Sequence, residues 1–353
     1  MNRHLFPYEW KLSDGYPAIG IEPHGATAFS CFACGGGSTM GYKLAGFDVI
    51  GCNEIDPKMV ECYKANHHPK HCFVEAIQTF KDRDDLPKEL FDLDILDGSP
   101  PCSSFSMAGN REKDWGKEKK FREGQAEQVL DTLFFDFIDL AKKLQPKSIV
   151  AENVKGLILG EAQLYVDKIL KAYDEAGYYV DFKLLDSALM GVPQRRRRVF
   201  FYAIRKDIYA GGFADLYGTR PKLKLSFSEK PITFGELNIS YGKEILKCYR
   251  EDWERLKKGE PAKYMQSSLV PLEMVHPTVT AGYQAKASPM PENRPYWLCG
   301  ADLCLVGAYP GDYNFCGKKA SYVIGMSVPP VMMAHVAHAI KTQWLDNLKK
   351  EGI

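Results

Sequence analysis

The segment DGSPPCSSFS at 97–106 places Cys102 directly after two prolines and ahead of small polar residues. Pro100 and Pro101 restrict the backbone, so such a turn can present a thiol rather than pack it, and a presented thiolate is a nucleophile. A buried structural cysteine is the competing reading, because cysteine is among the most buried residue types. ENV at 152–154 ends another apolar run and puts Glu152 where a strand would finish. QRRRR at 194–198 leads into a further apolar run. In a strand, alternate side chains share a face, so Arg196 and Arg198 lie together, able to hold phosphate or to position a planar ligand. Arg195 and Arg197 then face the other way, toward solvent.

A second group of residues suits a nucleotide-like ligand. Gly35, Gly36 and Gly37 follow a strand-like run, where glycine lets a ligand approach the backbone and exposes amide donors. Glu54 ends the next strand-like run, and its carboxylate can accept hydrogen bonds from ribose hydroxyls. The GxGxxG pattern is not met, so these residues fit a nicotinamide cofactor as well as S-adenosylmethionine, and a purely structural turn remains open. Cys31 and Cys34 form a lone CxxC. Without a second ligand pair, burial at a strand end outweighs a zinc or redox reading, and no metal site is expected.

These residues need a scaffold that brings strand ends together. Ala26 to Phe32 reads as a strand, TMGYKLAGF as a short helix, and Phe47 to Gly51 as a second strand. Pro57 suits a helix start ahead of Met59, Val60 and Tyr63 at helical spacing. Leu93 to Leu96, Ser148 to Val150, Tyr178 to Leu185 and Val199 to Ile204 read as strands; Gln125 to Leu144 and Gln163 to Ala176 read as helices. Such alternation predicts an α/β fold with a mostly parallel sheet covered on both faces, ending near residue 205. From there to about Lys318 the pattern is irregular, with prolines at 271, 277, 289, 291 and 295. The VMMAHVAHAIKTQWLDNLKK stretch is helical again and returns to complete the first domain.

Composition narrows the classes. The 353 residues are 45% hydrophobic, enough for a large core, and 46 basic against 45 acidic side chains leave a net charge of +1. Attraction to nucleic acid must therefore be local. Neither a secretory leader nor an uninterrupted apolar span near 20 residues is seen, which predicts a soluble, cytoplasmic protein without membrane contact. The ten irregularly spaced cysteines are then expected to be mostly reduced.

Taken in order, FACGGG at 32–37, NEID at 53–56, GSPPCSSFS at 98–106, ENV at 152–154, GVPQRRRR at 191–198 and GMSVPP at 325–330 resemble the DNA cytosine-5 methyltransferase family. The resemblance covers most of the chain. It implies an S-adenosylmethionine-dependent methyltransferase sheet formed by 1–200 and 318–353, and a smaller irregular target-recognition domain at 201–317. It implies double-stranded DNA as substrate and S-adenosylmethionine as cofactor. No obligatory protein partner is expected, and a cognate restriction enzyme is a candidate counterpart. By the same resemblance Cys102 attacks cytosine C6, Glu152 contacts the N3 and amino edge, and Arg198 orients the base, with Arg196, Gln194 and Ser103 in support. Phe32, Gly36, Glu54, Ile55, Glu75, Leu133 and Ser327 are the implied cofactor contacts. Residues 103–124, with the basic run REKDWGKEKKFR, are the implied closing loop, and HPTVTA at 276–281 marks a boundary of the recognition region.

The chain departs from the family pattern at Cys34, where a turn glycine is usual, at Met326, where an asparagine is usual, and at Ser103, where a glutamine is usual. Cytosine methylation in RNA and a catalytically inactive DNA-binding module are the competing functional readings.

Overall fold

The computed structural model describes residues 4–101, 132–159, 162–208, 223–240 and 298–350, and between 251 and 296 only short stretches, the longest being 272–282. Its centre is a seven-stranded sheet. The strands are β1 (Thr27–Cys31), β2 (Asp48–Asn53), β3 (His71–Phe73), β4 (Ile95–Gly98), β5 (Ser148–Val154), β6 (Tyr178–Asp186) and β8 (Arg197–Arg205), in the order β3-β2-β1-β4-β5-β8-β6. The first five are parallel to one another, and β8 runs antiparallel to both β5 and β6. This is the expected mostly parallel sheet ending at residue 205. Every parallel strand finishes at one edge, and β8 begins there.

Helices cover both faces. The first ones are α1 (Gly37–Leu44), α2 (Pro57–His67), α3 (Ile77–Asp82), α4 (Leu133–Leu144) and α5 (Gln163–Glu175). After residue 298 come α6 (Gly300–Gly307), α7 (Ala320–Met326) and α8 (Pro330–Ile340), continued through one wide turn into α9 (Asp346–Lys350). Strand alternation sorts the core into two layers. Val150, Phe200 and Tyr202 join Tyr42, Met332 and Val336 on one face, while Ile149, Phe201 and Ala203 join Phe80, Phe137 and Tyr173 on the other.

Local chemistry explains several boundaries. Pro57 opens α2 and the Asp56 carboxylate accepts from the Lys58 amide at 2.9 Å, a side-chain N-cap. Helix α1 starts two residues before the expected TMGYKLAGF and stops at Leu44, with Gly46 in the left-handed region at φ +88°. It crosses α8 closely: a Cβ on Gly41 would lie 2.5 Å from the Pro330 carbonyl oxygen. The run Ala320–Leu348 is long and apolar enough to cross a membrane, but most of it is buried inside the fold. Strand β4 lies two residues later than Leu93 to Leu96, and β3 and α3 are additions to the expected elements. Of the expected helix over 125–144, the part before residue 132 lies outside the described residues.

Candidate active site

The ends of β1, β2, β4 and β5 and the start of β8 meet at one sheet edge, so their loops share one surface. After β1 the chain enters a tight turn in which Phe32, Cys34 and Gly36 have φ of +53°, +48° and +85°. The turn is closed by the Gly36 amide on the Ala33 carbonyl at 2.8 Å. Protein packs against all three glycines. A Cβ would lie 2.5 Å from Val323 at Gly35, 2.1 Å from the His67 ring at Gly36, and 2.4 Å from the Val328 carbonyl at Gly37.

Glu54 is buried where β2 ends. One carboxylate oxygen accepts from the Cys34 amide at 2.7 Å and the other from the Asp56 amide at 2.8 Å. A carboxylate oxygen has two acceptor directions, so these bonds fix Glu54 yet leave it able to take ribose hydroxyls. Ile55 is half-buried beside it, and Phe32 is half-buried with its ring 6.4 Å from that of Phe137. Beyond β3, Val74 is exposed between Phe73 and Glu75, an apolar surface suited to a purine face. The Glu75 carboxylate meets Arg83 at 3.0 Å. These acceptors and surfaces fit S-adenosylmethionine. Leu133 is fully buried at the start of α4, and the Ser327 hydroxyl donates to the Val323 carbonyl at 2.8 Å.

The residues expected to handle a base, Glu152, Gln194, Arg196 and Arg198, gather where β5 ends and β8 begins. Glu152 is 8% exposed, and its carboxylate meets Arg198 Nε at 2.8 Å. Burial acts against the charge of Arg198 and Glu152 supports it. Arg196 shares the inward side but has different partners: its Nη1 donates to the carbonyls of Val279 at 3.2 Å and Gly325 at 3.1 Å. Gln194 is buried and accepts from the Val279 amide at 2.9 Å. The short β7 (Gln194–Arg195) pairs in parallel with β9 (His276–Pro277), so HPTVTA docks on QRRRR. It also docks on GMSVPP, since a Cβ on Gly325 would lie 2.3 Å from the Thr280 carbonyl carbon. Arg195 and Arg197 are half-exposed, and both reach Asp186, at 3.5 and 3.2 Å.

Cys102, Ser103 and the expected closing loop 103–124 lie outside the described residues. What precedes them is described, and it adds a residue that motif reading passed over. Asn153 is buried and its amide donates to the Pro100 carbonyl at 3.0 Å, tying the end of β5 to the PPC turn. Asp97, in β4, is 1% exposed and accepts from the Ser30 hydroxyl at 2.8 Å and the Tyr42 hydroxyl at 3.3 Å. Burial pushes its carboxyl up to about 7, the hydroxyls oppose the shift, and the charge of Glu152 adds to it. Cys31 and Cys34 are buried and outside any disulfide, and among the described residues no group of three His, Cys, Asp or Glu is placed to hold a metal ion.

Residues 26–230 match the family model for C-5 cytosine-specific DNA methylase. Among relatives, the chain is 36% identical over 184 residues to Type II methyltransferase M.FnuDI of Fusobacterium nucleatum, covering 52% of this chain and 48% of that protein. It is 28% identical over 343 residues to Type II methyltransferase M1.HphI of Haemophilus parahaemolyticus, covering 89% and 86%. The chain thus spans about half the length of M.FnuDI and, likewise, of M.NgoPII from Neisseria gonorrhoeae, at 48% each. A prophage-encoded DNA modification methyltransferase of E. coli has the same fold, with a TM-score of 0.63 at 19% identity over 90% of this chain and 99% of that one.

Proposed function

The chain belongs to the C-5 cytosine-specific DNA methylase family, and from that membership we propose that it methylates C5 of cytosine within a specific sequence of double-stranded DNA. The observation that carries the proposal is the gathering of Glu54, Pro100 held by Asn153, Glu152 and Arg198 along one sheet edge. Phe32, Gly36, Glu54, Ile55 and Glu75 would hold S-adenosylmethionine, with Leu133 at the start of α4 and Ser327 directly after α7, and the bound cofactor would supply an electrophilic methyl group.

Cytosine C5 is a poor nucleophile until a thiolate adds at C6. In the proposed sequence the Cys102 sulfur forms a bond to C6, and the C5–C6 π electrons shift to make C5 nucleophilic. C5 would then take the methyl group as the methyl–sulfur bond breaks, its electron pair staying on sulfur in the departing thioether, S-adenosylhomocysteine. Loss of the C5 proton to a base, followed by expulsion of the thiolate, restores the aromatic ring. Glu152 holds the N3 and amino edge through the addition, and Arg198, paired to Glu152, keeps that carboxylate and the base in register. Arg196 and Gln194 support the pair from behind. A stacked base cannot reach this edge, so the target cytosine is flipped out of the duplex.

The proposed division into a catalytic body at 1–200 and 318–353 and a recognition segment at 201–317 goes with this reading. Leu223, Leu225, Ile232 and Phe234, and after the segment's middle Leu303, Tyr309 and Tyr313, pack into the catalytic core. A modification role opposite a cognate restriction enzyme is proposed on the strength of the relatives named Type II methyltransferases.

Methyl transfer from labelled S-adenosylmethionine to duplex DNA, with RNA in parallel and bisulfite mapping of the product, tests the reading. We expect label on DNA cytosine and loss of at least about 1000-fold in rate for Cys102→Ser, since the hydroxyl is a far weaker nucleophile. Duplex carrying 5-fluorocytosine at the mapped site should trap a covalent complex, with the bond located at Cys102 by peptide mass mapping. Label on RNA alone, or trapping at another cysteine, would overturn the assignment.

A further inference from the structure

The cofactor turn is held from behind by two side chains that no motif marks. The Gly35 carbonyl accepts from the Tyr313 hydroxyl at 2.6 Å and from His67 Nε2 at 3.1 Å. In the same peptide unit the Gly36 amide donates to the Ala33 carbonyl at 2.8 Å. A peptide unit is planar, so fixing its oxygen and its N–H fixes the orientation of the whole unit. That unit sits between Cys34, whose amide engages Glu54, and Gly37, the first residue of α1.

Both donors are themselves well fixed. Tyr313 is 6% exposed, its ring lying 5.3 Å from Tyr309 and 4.8 Å from Phe315. The loop carrying it is bracketed by the N-terminal arm: the Gly311 amide donates to the Trp10 carbonyl at 2.9 Å, and the Asp312 carboxylate accepts from the Leu12 and Ser13 amides at 2.6 and 3.0 Å. On the other flank, Asn66 of α2 exchanges two hydrogen bonds with Asn314, each at 2.8 Å. His67 ends α2 one residue later. Burial pulls its imidazole down to about 3, so it is neutral at ordinary pH and donates through Nε2.

We infer that Tyr313 and His67 are positioning residues for the cofactor turn, holding the peptide between Gly35 and Gly36 in the orientation that S-adenosylmethionine meets. The inference rests on the function proposed above. It assigns AYPGDY at 308–313, which lies inside the proposed recognition segment, to the cofactor side of the molecule. Neither side chain is a catalytic residue, since each acts through the turn.

Tyr313→Phe removes only the hydroxyl and keeps the packed ring. Calorimetric titration with S-adenosylmethionine should show about tenfold weaker binding, the loss expected of one well-made buried hydrogen bond. In steady state the KM for S-adenosylmethionine should rise by a similar factor, with kcat at saturation keeping at least half its value and affinity for target DNA unchanged. His67→Phe should behave alike, and His67→Gln, which restores an N–H donor, should recover part of the affinity. Glu54→Ala serves as the reference for a direct contact. If Glu54→Ala weakens cofactor binding and Tyr313→Phe does not, the positioning role is wrong and the functional reading stands. A fall in kcat and melting temperature with no change in KM would show a merely structural tyrosine and overturn the inference as well. Failure of the unaltered protein to bind S-adenosylmethionine at all would overturn the functional reading and the inference with it.

Discussion

Asp97→Asn should stabilise the protein at pH 8 and do little at pH 4. Asp97, in β4, lies in the middle of the sheet between β1 and β5 with 1% of its surface exposed, and it is bonded by hydroxyls, those of Ser30, Tyr42 and Ser38, rather than by a cation. Its carboxyl titrates at about 7 in the fold against an ordinary 3.8. The folded state therefore holds on to the proton more tightly than the unfolded chain. Stability contributed by this group is undiminished below pH 3.8, falls as pH rises toward 7, and is fully lost above that. A shift of about three units corresponds to about 4 kcal/mol at 1.36 kcal/mol per unit. An asparagine carries no charge to desolvate, keeps one acceptor, and offers an N–H to a hydroxyl oxygen, at a cost of about 1 kcal/mol for the rearranged hydrogen bonds. A net gain of about 3 kcal/mol at pH 8 follows, vanishing or slightly reversed at pH 4. Urea unfolding of both proteins at the two pH values measures it, the difference between them cancelling every other titrating group. An equal difference at both pH values would refute the claim that a buried charge is the cause.

Two further substitutions probe the same edge. Gly36→Ala combines a positive φ with a Cβ 2.1 Å from the His67 ring. It should cost at least about 2 kcal/mol and reduce S-adenosylmethionine binding by more than tenfold, by urea unfolding and calorimetry; unchanged affinity in an equally stable protein would contradict the close packing described. Arg198→Ala removes the partner of the buried Glu152 carboxylate. Turnover should fall about 100-fold or more while DNA affinity at matched salt changes far less, and normal turnover would exclude the role given to the pair.

The sheet was legible because its signals are local: apolar runs of strand length, each ending in a glycine turn or a carboxylate. β3 was not, since HCF is three half-buried residues in the outermost strand, and neither alternation nor length marks it. Glu54 and Glu152 stood out because acidic residues directly follow apolar runs. Alternation put Arg196 and Arg198 on one side, but their division of labour depends on where HPTVTA returns, 83 residues on from Arg196. The contacts of Asn153, His67 and Tyr313 had no signal of their own, because each acts on a backbone carbonyl distant in sequence, and a carbonyl looks the same at every position. Asp97 directly follows the expected strand at 93–96, and nothing local marks it as buried, because β4 runs two residues further than that strand.

The bond between Tyr313 and Gly35 also sets a schedule. Its two ends are separated by 278 residues of chain, which a ribosome adding 5–20 residues per second takes roughly 15 to 55 seconds to deliver. Throughout that interval the nascent turn lacks one of its two rear supports, and α1 lacks α8, which covers it in the finished protein. The emerging polypeptide can assemble its sheet while it is being made, yet its cofactor turn reaches final shape only after Tyr313 and α8 have followed. Removing residues 308–340 would therefore undo the turn near residue 35 while leaving every strand of the sheet in the chain.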